Sequence, residues 1–301
     1  MGNNPLADII PIAQTLWYFT SHGGWVVFVL LAIFVLYKLY LTEIQTQYVF
    51  SIDWVFLEIK PPKENPASFY SMEQVYIQLH SLLDNWTFQE KYIEGKVVFW
   101  ISFEIVSLGG KISYIIKVPR KQQDLVESAF YANFPNLEIS EVHDYLSNFD
   151  YDPDDGKYEL FGAEIGLAQP QSIPIRTYTE FQSLKGPEAS ELVVDPLAPL
   201  LEAFTRISLH EFYGLQFLLT PVPDGSWKDE AEALVTKLKG EVEYMNLDDV
   251  TKLRVSAIKK KLGKPGFATK IRLLHMGTKE HFNKNAKKLI LSPFKIFSSA
   301  N

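Results

Sequence analysis

The most strongly apolar run of the chain lies near its N-terminus. Residues 23–41, GGWVVFVLLAIFVLYKLYL, contain one charged side chain, Lys38. At about 1.5 Å of rise per residue, a helix of this length roughly matches a bilayer core of about 30 Å. Apolar residues occupy every side of this helix, whereas the core helix of a globular protein usually keeps a polar stripe. The pattern therefore predicts a transmembrane helix over residues 23–41, preceded by an N-terminal segment over residues 1–22.

Downstream of this span, strand-like and helix-like patterns follow one another in the order β-α-β-β-α-β. Alternating apolar residues before Pro61 predict a first strand. Helical spacing over residues 71–86 predicts a helix with Ser71 as its N-cap, and a second helix is predicted over residues 122–134. This order is that of the ferredoxin-like fold, an antiparallel sheet with two helices on one face. We predict such a module over residues 50–146.

The two middle strands of this module meet at Gly109-Gly110. A two-residue turn at these glycines pairs residues whose numbers sum to 219, so that Ile105 faces Tyr114. This register sorts apolar side chains to one face of the hairpin, and a slip of one residue would spoil the sorting. Glycine suits the positive φ angles of a tight hairpin turn. The stretch therefore predicts a β-hairpin.

A second α+β module is predicted over residues 158–301, after an acidic linker over residues 147–157. The aspartates of the linker resemble a calcium loop in spacing. An EF-hand loop needs glycine at its sixth position and glutamate at its twelfth, where this chain has Asp155 and Phe161. The linker is therefore not predicted to be an EF-hand loop.

The fold class predicted for the whole chain is α+β, with one transmembrane helix and two ferredoxin-like modules.

Catalytic motifs are absent from the sequence. Gly110-Lys111 does not form a nucleotide-binding loop, because Ile105 stands where the first glycine of that motif belongs. The six histidines show no metal-ligand spacing, and no serine-hydrolase elbow is present. His210-Glu211 is interpreted as a structural pair. We therefore predict a protein that is not an enzyme, with no catalytic, metal or cofactor-binding residues.

Charge is distributed unevenly along the chain. Residues 251–301 contain 13 basic side chains and one acidic side chain, whereas the chain as a whole has a net charge of −7. A basic region on an acidic body favours contact with nucleic acid, lipid headgroups or an acidic protein surface, although a solvated helix face is the alternative. The residues predicted to contact phosphate or lipid are Lys252, Arg254, Lys259, Lys260, Lys261, Lys264, Lys270 and Arg272.

The charges around the span also predict its orientation. The first 37 residues contain no lysine or arginine, which disfavours a cleaved signal peptide. Lys38 and later lysines follow the span, so the positive-inside tendency places the body in the cytoplasm. The chain contains no cysteine, which fits a reducing compartment. We predict a single-pass protein of the plasma (inner) membrane with a cytoplasmic C-terminal body.

Several long segments carry a family resemblance. They include MEQVYIQLHSLL, FEIVSLGGKISYIIKVPRKQQDLVESAFYANFPNLEISEVHDY, DPLAPLLEAFTRISLHEFYGLQFLLTPV and FATKIRLLHM. With these segments the chain resembles membrane proteins associated with conjugative, type IV secretion-like systems of small-genome candidate-phylum bacteria. In that family a membrane anchor and a domain of unknown function often precede a helicase-like or DNA-translocating ATPase domain. The present chain lacks the Walker motif of the fused form, and its apolar C-terminal pattern predicts the front part of a longer protein.

Two functions follow as hypotheses from these observations. In the first, the chain is a non-catalytic, membrane-anchored assembly domain that associates with itself and docks an ATPase domain or subunit of a DNA-transfer system. In the alternative, it is a membrane-tethered protein that binds nucleic acid through its basic region, residues 251–301.

Overall fold

A computed structural model describes residues 17–298, except residues 63–68, 150, 153, 155, 183–194 and 241–243. Most of the predicted N-terminal segment and three residues of the predicted acidic linker therefore lie outside the described residues. The chain divides into two compact units. One unit comprises Met1–Ile52 and Asn85–Val97, and the other comprises Asp53–Asp84 and Val98–Asn301.

The helices and strands alternate along much of the chain. The helices are α1 Trp25–Phe50, α2 Phe69–Leu79, α3 Phe88–Tyr92, α4 Gln123–Asn133, α5 Tyr178–Gln182, α6 Ala198–Thr205, α7 Lys228–Lys239, α8 Asp249–Leu262 and α9 Ala286–Leu291. The strands are β1 Trp54–Lys60, β2 Ile101–Leu108, β3 Lys111–Pro119, β4 Glu138–Val142, β5 Tyr158–Ile165, β6 Glu211–Val222 and β7 Gly266–Thr278. Short 3₁₀ turns join several of them.

The first unit is built on α1. This helix of 26 residues contains no glycine or proline, and none of its side chains is buried. At about 1.5 Å per residue it is about 39 Å long, which exceeds the hydrocarbon thickness of a bilayer. A single π-helical turn, Thr20–Gly24, precedes it, and Gly23 within that turn has a φ of 93°. The helix continues to Phe50, well beyond the predicted end of the span at Leu41.

The second unit is built on one seven-stranded sheet. The strand order is β4-β1-β3-β2-β6-β7-β5, and every neighbouring pair is antiparallel. The predicted hairpin is confirmed: β2 and β3 pair in the register that sums to 219, with Ile105 opposite Tyr114. Gly109 and Gly110 form its turn with φ angles of 54° and 86°.

One face of the sheet carries four helices. Helices α2 and α4 cover β1 to β3, where Val55 and Leu57 alternate toward a buried apolar core as their period of two predicts. Helices α6 and α9 cover β6 and β7. The two cores lie on the same face because Phe103 and Ile105 of β2 stand opposite Phe217 and Leu215 of β6.

The opposite face is covered in part by the segment that follows β4. Tyr145 and Phe149 from this segment pack against Phe212 and against apolar neighbours on β2, β3 and β7. The phenol of Tyr145 donates a hydrogen bond of 2.6 Å to the buried carboxylate of Glu104. Helices α7 and α8 share a separate small core, formed by Ala231, Val235, Val255 and Ile258.

The structure differs from the sequence-based expectation in two respects. The separation into two ferredoxin-like modules is not confirmed, because β2 and β6 pair along their length and join all the strands into one sheet. The predicted N-cap at Ser71 is wrong, since α2 already includes Phe69 and Ser71 lies within its first turn. The capping pattern therefore predicted the wrong first residue for this helix, whereas the spacing of its apolar residues correctly predicted that a helix forms.

Candidate functional site

The eight basic residues predicted to contact phosphate or lipid are distributed over two kinds of surface. Lys252, Arg254, Lys259, Lys260 and Lys261 lie on α8, Lys264 lies in the turn after it, and Lys270 and Arg272 lie on β7. The structure therefore does not gather them into one patch. A helix distributes neighbouring residues around its axis, and a strand sends alternate residues to opposite faces.

Several of these cations have partners within the chain. Lys264 forms an ion pair with Glu73 of α2, and Lys261 donates to the backbone carbonyl of Gln171. Lys260 Nζ donates to Thr179 Oγ1 over 3.2 Å. Burial lowers the pKa of Lys261, which also lies over the ring of Trp227 at 5.8 Å from its centroid. These contacts tie the basic helix to neighbouring elements of the same unit.

Lys270 and Arg272 occupy a different position. Both are exposed and lie on the sheet face opposite the four helices, since Ile271 and Leu273 between and after them point into the helix-covered core. Arg272 stands between Gln216 of β6 and Glu164 of β5. An acidic neighbour on the same face weakens the positive potential that an anionic ligand would meet.

A groove lies where α2, α5 and the start of β7 meet. Its volume is about 390 Å³, within the range of small-molecule sites. The residues that line it are Met72, Glu73, Tyr76, Ile77, Tyr178, Lys264, Pro265 and Phe267. Most of this lining is apolar, and the rings of Tyr76 and Phe267 meet edge to face at 6.3 Å between centroids. The groove therefore offers an apolar surface beside one polar group of three residues.

That polar group consists of Glu73, Lys264 and Tyr178. The Tyr178 hydroxyl donates to Glu73 Oε2 over 2.7 Å. Hydrogen bonding from Lys264 and then from Tyr178 lowers the pKa of Glu73, so the carboxylate is ionised at neutral pH. The same bond to Glu73 raises the pKa of Tyr178. The carboxylate and the ammonium compensate each other, and the group can fix the orientation of a ligand without contributing net charge.

Sequence analysis singled out Lys264 but missed Glu73 and Tyr178. These two residues are 105 positions apart, and neither belongs to a motif. Burial also raises the pKa of Tyr76 to about 12, so this phenol stays neutral on the wall of the groove. The amphipathic pattern of α2 predicts that Glu73 lies beside the buried face of a helix, but no pattern identifies its partners.

A second polar cluster is sealed inside the unit. His275 Nε2 lies 2.9 Å from Glu211 Oε1, and these residues are 1% and 5% exposed. The pKa of Glu211 is lowered overall. Burial alone would raise it, but hydrogen bonds from His275 and from the backbone N–H groups of Asn283 and Ser208 have the larger combined effect. Burial lowers the pKa of His275. The imidazole is neutral, the carboxylate is ionised, and both are closed to solvent. Their hydrogen bonds connect β6, β7 and the loops that contain Ser208 and Asn283.

Among the described residues, no group of three or more His, Asp and Glu side chains is arranged to hold a metal ion. One helical stretch in the described part of the chain, Ser21–Phe50, is long and apolar enough to span a membrane.

Comparison with known proteins gives one match. The family described as Domain of unknown function (DUF8128) matches residues 38–301. Searches of curated proteins and of solved structures found no match. The description of the family names no secretion system, so that part of the resemblance stays a prediction. Because the match covers nearly all of the chain after the N-terminal part of α1, the chain belongs to the DUF8128 family.

Proposed function

We propose that this chain is a membrane-anchored, non-catalytic docking domain. The observation that carries the proposal is α1, whose apolar side chains are exposed on every side. Burying each of these side chains would contribute about 1.5–3 kcal/mol, so the helix is strongly favoured in a bilayer over water. Lys38 lies toward the C-terminal end of the apolar run and favours a cytoplasmic location for the body of a plasma (inner) membrane protein.

The architecture of the body supports descent from two ferredoxin-like halves. The order β5-α6-β6-β7-α9 repeats β1-α2-β2-β3-α4, and in both halves the third strand lies between the first and second. In the first half a tight turn closes the hairpin at Leu108 and Lys111, whereas Val222 and Gly266 close the second hairpin around the inserted pair α7–α8. We propose that the second half is a divergent copy of the first.

The proposed partner is an ATPase domain or subunit of a type IV secretion-like or DNA-transfer system. This assignment rests on the sequence resemblance, in which such a domain follows a membrane anchor. The groove beside Tyr76 and Phe267 has a concave apolar surface, and the charges of Glu73 and Lys264 within it compensate each other. Such a groove suits the binding of an apolar side chain of a partner. Self-association of the body at the membrane is part of the same proposal.

Alkaline carbonate extraction tests the anchor. The full chain, expressed in bacteria, is expected to stay in the membrane pellet, because carbonate releases peripheral but not integral proteins. A matched variant with Leu30→Lys and Phe34→Lys places two charges in the span, at a cost of about 2.5–3.5 kcal/mol each. This variant is expected to lose the pellet fraction. Release of the unaltered chain into the supernatant would contradict the proposal.

The alternative is a membrane-tethered nucleic-acid-binding protein. It draws on the basic region, residues 251–301, and on the exposure of Lys270 and Arg272 on one face of β7. If both residues contact phosphates of duplex DNA, the variant with Lys270→Ala and Arg272→Ala has a shallower plot of log affinity against log salt. The magnitude of its negative slope is smaller by about 2. The measurement is a titration of labelled DNA at several salt concentrations. No binding at low salt would overturn this alternative.

A further inference from the structure

The 85–97 segment packs against α1, although residues 51–84 separate it from the end of that helix. Gly95 is buried at this contact and has a φ of +70°. A side chain at this position would place its Cβ 2.5 Å from the carbonyl oxygen of Ile44 and 2.9 Å from the backbone nitrogen of Gln45. The backbone of the segment therefore touches the backbone of α1 at residues 44 and 45.

This contact fixes the position of the segment along α1. Ile44 follows the last residue of the apolar run, Leu41, by about one turn, or roughly 5 Å along the axis. The polar headgroup region of a bilayer is roughly 5–8 Å thick on each side of the hydrocarbon core. If α1 spans the membrane, as the proposed function requires, the 85–97 segment lies at the depth of the headgroups.

The side chains of the segment suit that depth. Phe88 and Ile93 are 75% and 60% exposed, and both lie in the segment whose Gly95 contacts α1 just beyond its apolar run. Phe88 lies beside Tyr92, with 4.7 Å between the ring centroids. Tyr92 is half-buried, and tyrosine is enriched where a membrane meets water.

The charges of the segment are balanced. Lys96 lies 2.9 Å from Glu90 and 3.1 Å from Glu94. Glu90 also closes a capping box with Thr87, which fixes the short helix α3. Lys91 is the remaining cation and lies over the ring of Tyr92, 5.3 Å from its centroid. A segment with two lysines and two glutamates needs no anionic lipid to hold it at the interface.

We propose that the 85–97 segment is a second membrane contact, in which Phe88 and Ile93 insert at the boundary between headgroups and acyl chains of zwitterionic lipid. This inference rests on the proposed function, since the depth of the segment follows from α1 crossing the bilayer.

The absence of native cysteine permits a direct test on the full chain. Single variants Phe88→Cys, Ile93→Cys, Ile33→Cys and Tyr131→Cys receive a nitroxide spin label and are reconstituted in phosphatidylcholine nanodiscs. Power saturation then compares the collision of each label with oxygen, which concentrates in lipid, and with a water-soluble nickel chelate. Ile33 lies within the apolar run and reports on the span, whereas Tyr131 is an exposed residue of α4 and reports on the body.

The labels at residues 88 and 93 are expected to show oxygen-to-nickel accessibility ratios between those at residues 33 and 131. Water-like ratios at 88 and 93, with a lipid-like ratio at 33, would overturn this inference and leave the anchor intact. Low collision with both reagents at 88 and 93 would indicate a protein contact and would also overturn it. A water-like ratio at residue 33 would overturn the anchor and this inference together.

Discussion

At the scale of single residues, the hairpin turn distinguishes two adjacent glycines. Gly109 has a φ of 54°, near the left-handed region that other residues occupy at a cost of about 1 kcal/mol, whereas Gly110 has a φ of 86°. A Cβ on Gly110 would lie 2.7 Å from the backbone oxygen of Thr205, and a Cβ on Gly109 would meet Leu209 at 3.1 Å. The two positions therefore differ in backbone strain and in the room available for a Cβ atom.

We expect Gly110→Ala to lower the free energy of unfolding by more than about 2 kcal/mol, because strain and a backbone clash add. Gly109→Ala is the matched control and is expected to cost about 1 kcal/mol. Urea unfolding of the full chain in detergent, followed by circular dichroism, measures both. Equal losses in the two variants would contradict the geometry of the turn.

The buried pair of His275 and Glu211 predicts a dependence of stability on pH. Both groups have a lowered pKa in the folded chain, so the stability they contribute is present above the ordinary values of 6.5 and 4.5 and is lost as pH falls. We expect the free energy of unfolding to fall from about pH 6.5 downward, by at most about 1.4 kcal/mol per pH unit for each group.

The variant His275→Gln removes one of these titrations and is expected to flatten the dependence between pH 6.5 and 5. The exposed residue His281 supplies the control, since His281→Gln leaves the buried pair in place. Denaturant midpoints at several pH values give the measurement. A profile unchanged by His275→Gln would show that the imidazole does not carry the effect.

At the scale of elements, the inserted pair α7–α8 occupies the position of a hairpin turn. The pair has its own core and leaves β6 and β7 in register from Val222–Gly266 to Glu211–Gly277. Replacing residues 224–265 by Gly-Gly shortens the loop between Val222 and Gly266 about fourteenfold, which reduces the entropic cost of loop closure by roughly 2.4 kcal/mol.

This shortened variant is expected to keep a cooperative unfolding transition and the strand signal of the sheet, while it loses helical signal and the groove wall around Lys264. Far-ultraviolet circular dichroism during thermal unfolding records both. Loss of the cooperative transition would show that α7–α8 is required by the sheet and would argue against the proposed duplication.

The elements also show how far the sequence predicts this structure. The 219 register and the alternation of Val55 and Leu57 depend on neighbouring residues and local periodicity, so they could be predicted. The pairing of β2 with β6 joins strands about a hundred residues apart, and no turn residue signals it. The contact of Glu73 with Tyr178 could not be predicted for the same reason, because it depends on where two distant elements come to lie.

At the scale of the whole molecule, the proposed membrane tether is α1, a helix with no buried side chain. The basic region first suggested an extended anionic contact. In the structure, Lys264, Lys261 and Lys260 have partners within the body, while Lys270 and Arg272 stay exposed on the sheet. The proposed docking role does not depend on these cations, whereas the nucleic-acid-binding alternative rests mainly on Lys270 and Arg272.

The most direct test of a membrane-anchored cytoplasmic body is to measure on which side of the membrane the body lies. A single cysteine at Tyr131, on the exposed side of α4, is treated with a membrane-impermeant maleimide in intact spheroplasts and again after lysis. We expect the protein to stay in the membrane fraction and labelling to appear only after lysis. Labelling in intact spheroplasts, or recovery of the chain in the soluble fraction, would contradict a membrane-anchored cytoplasmic body.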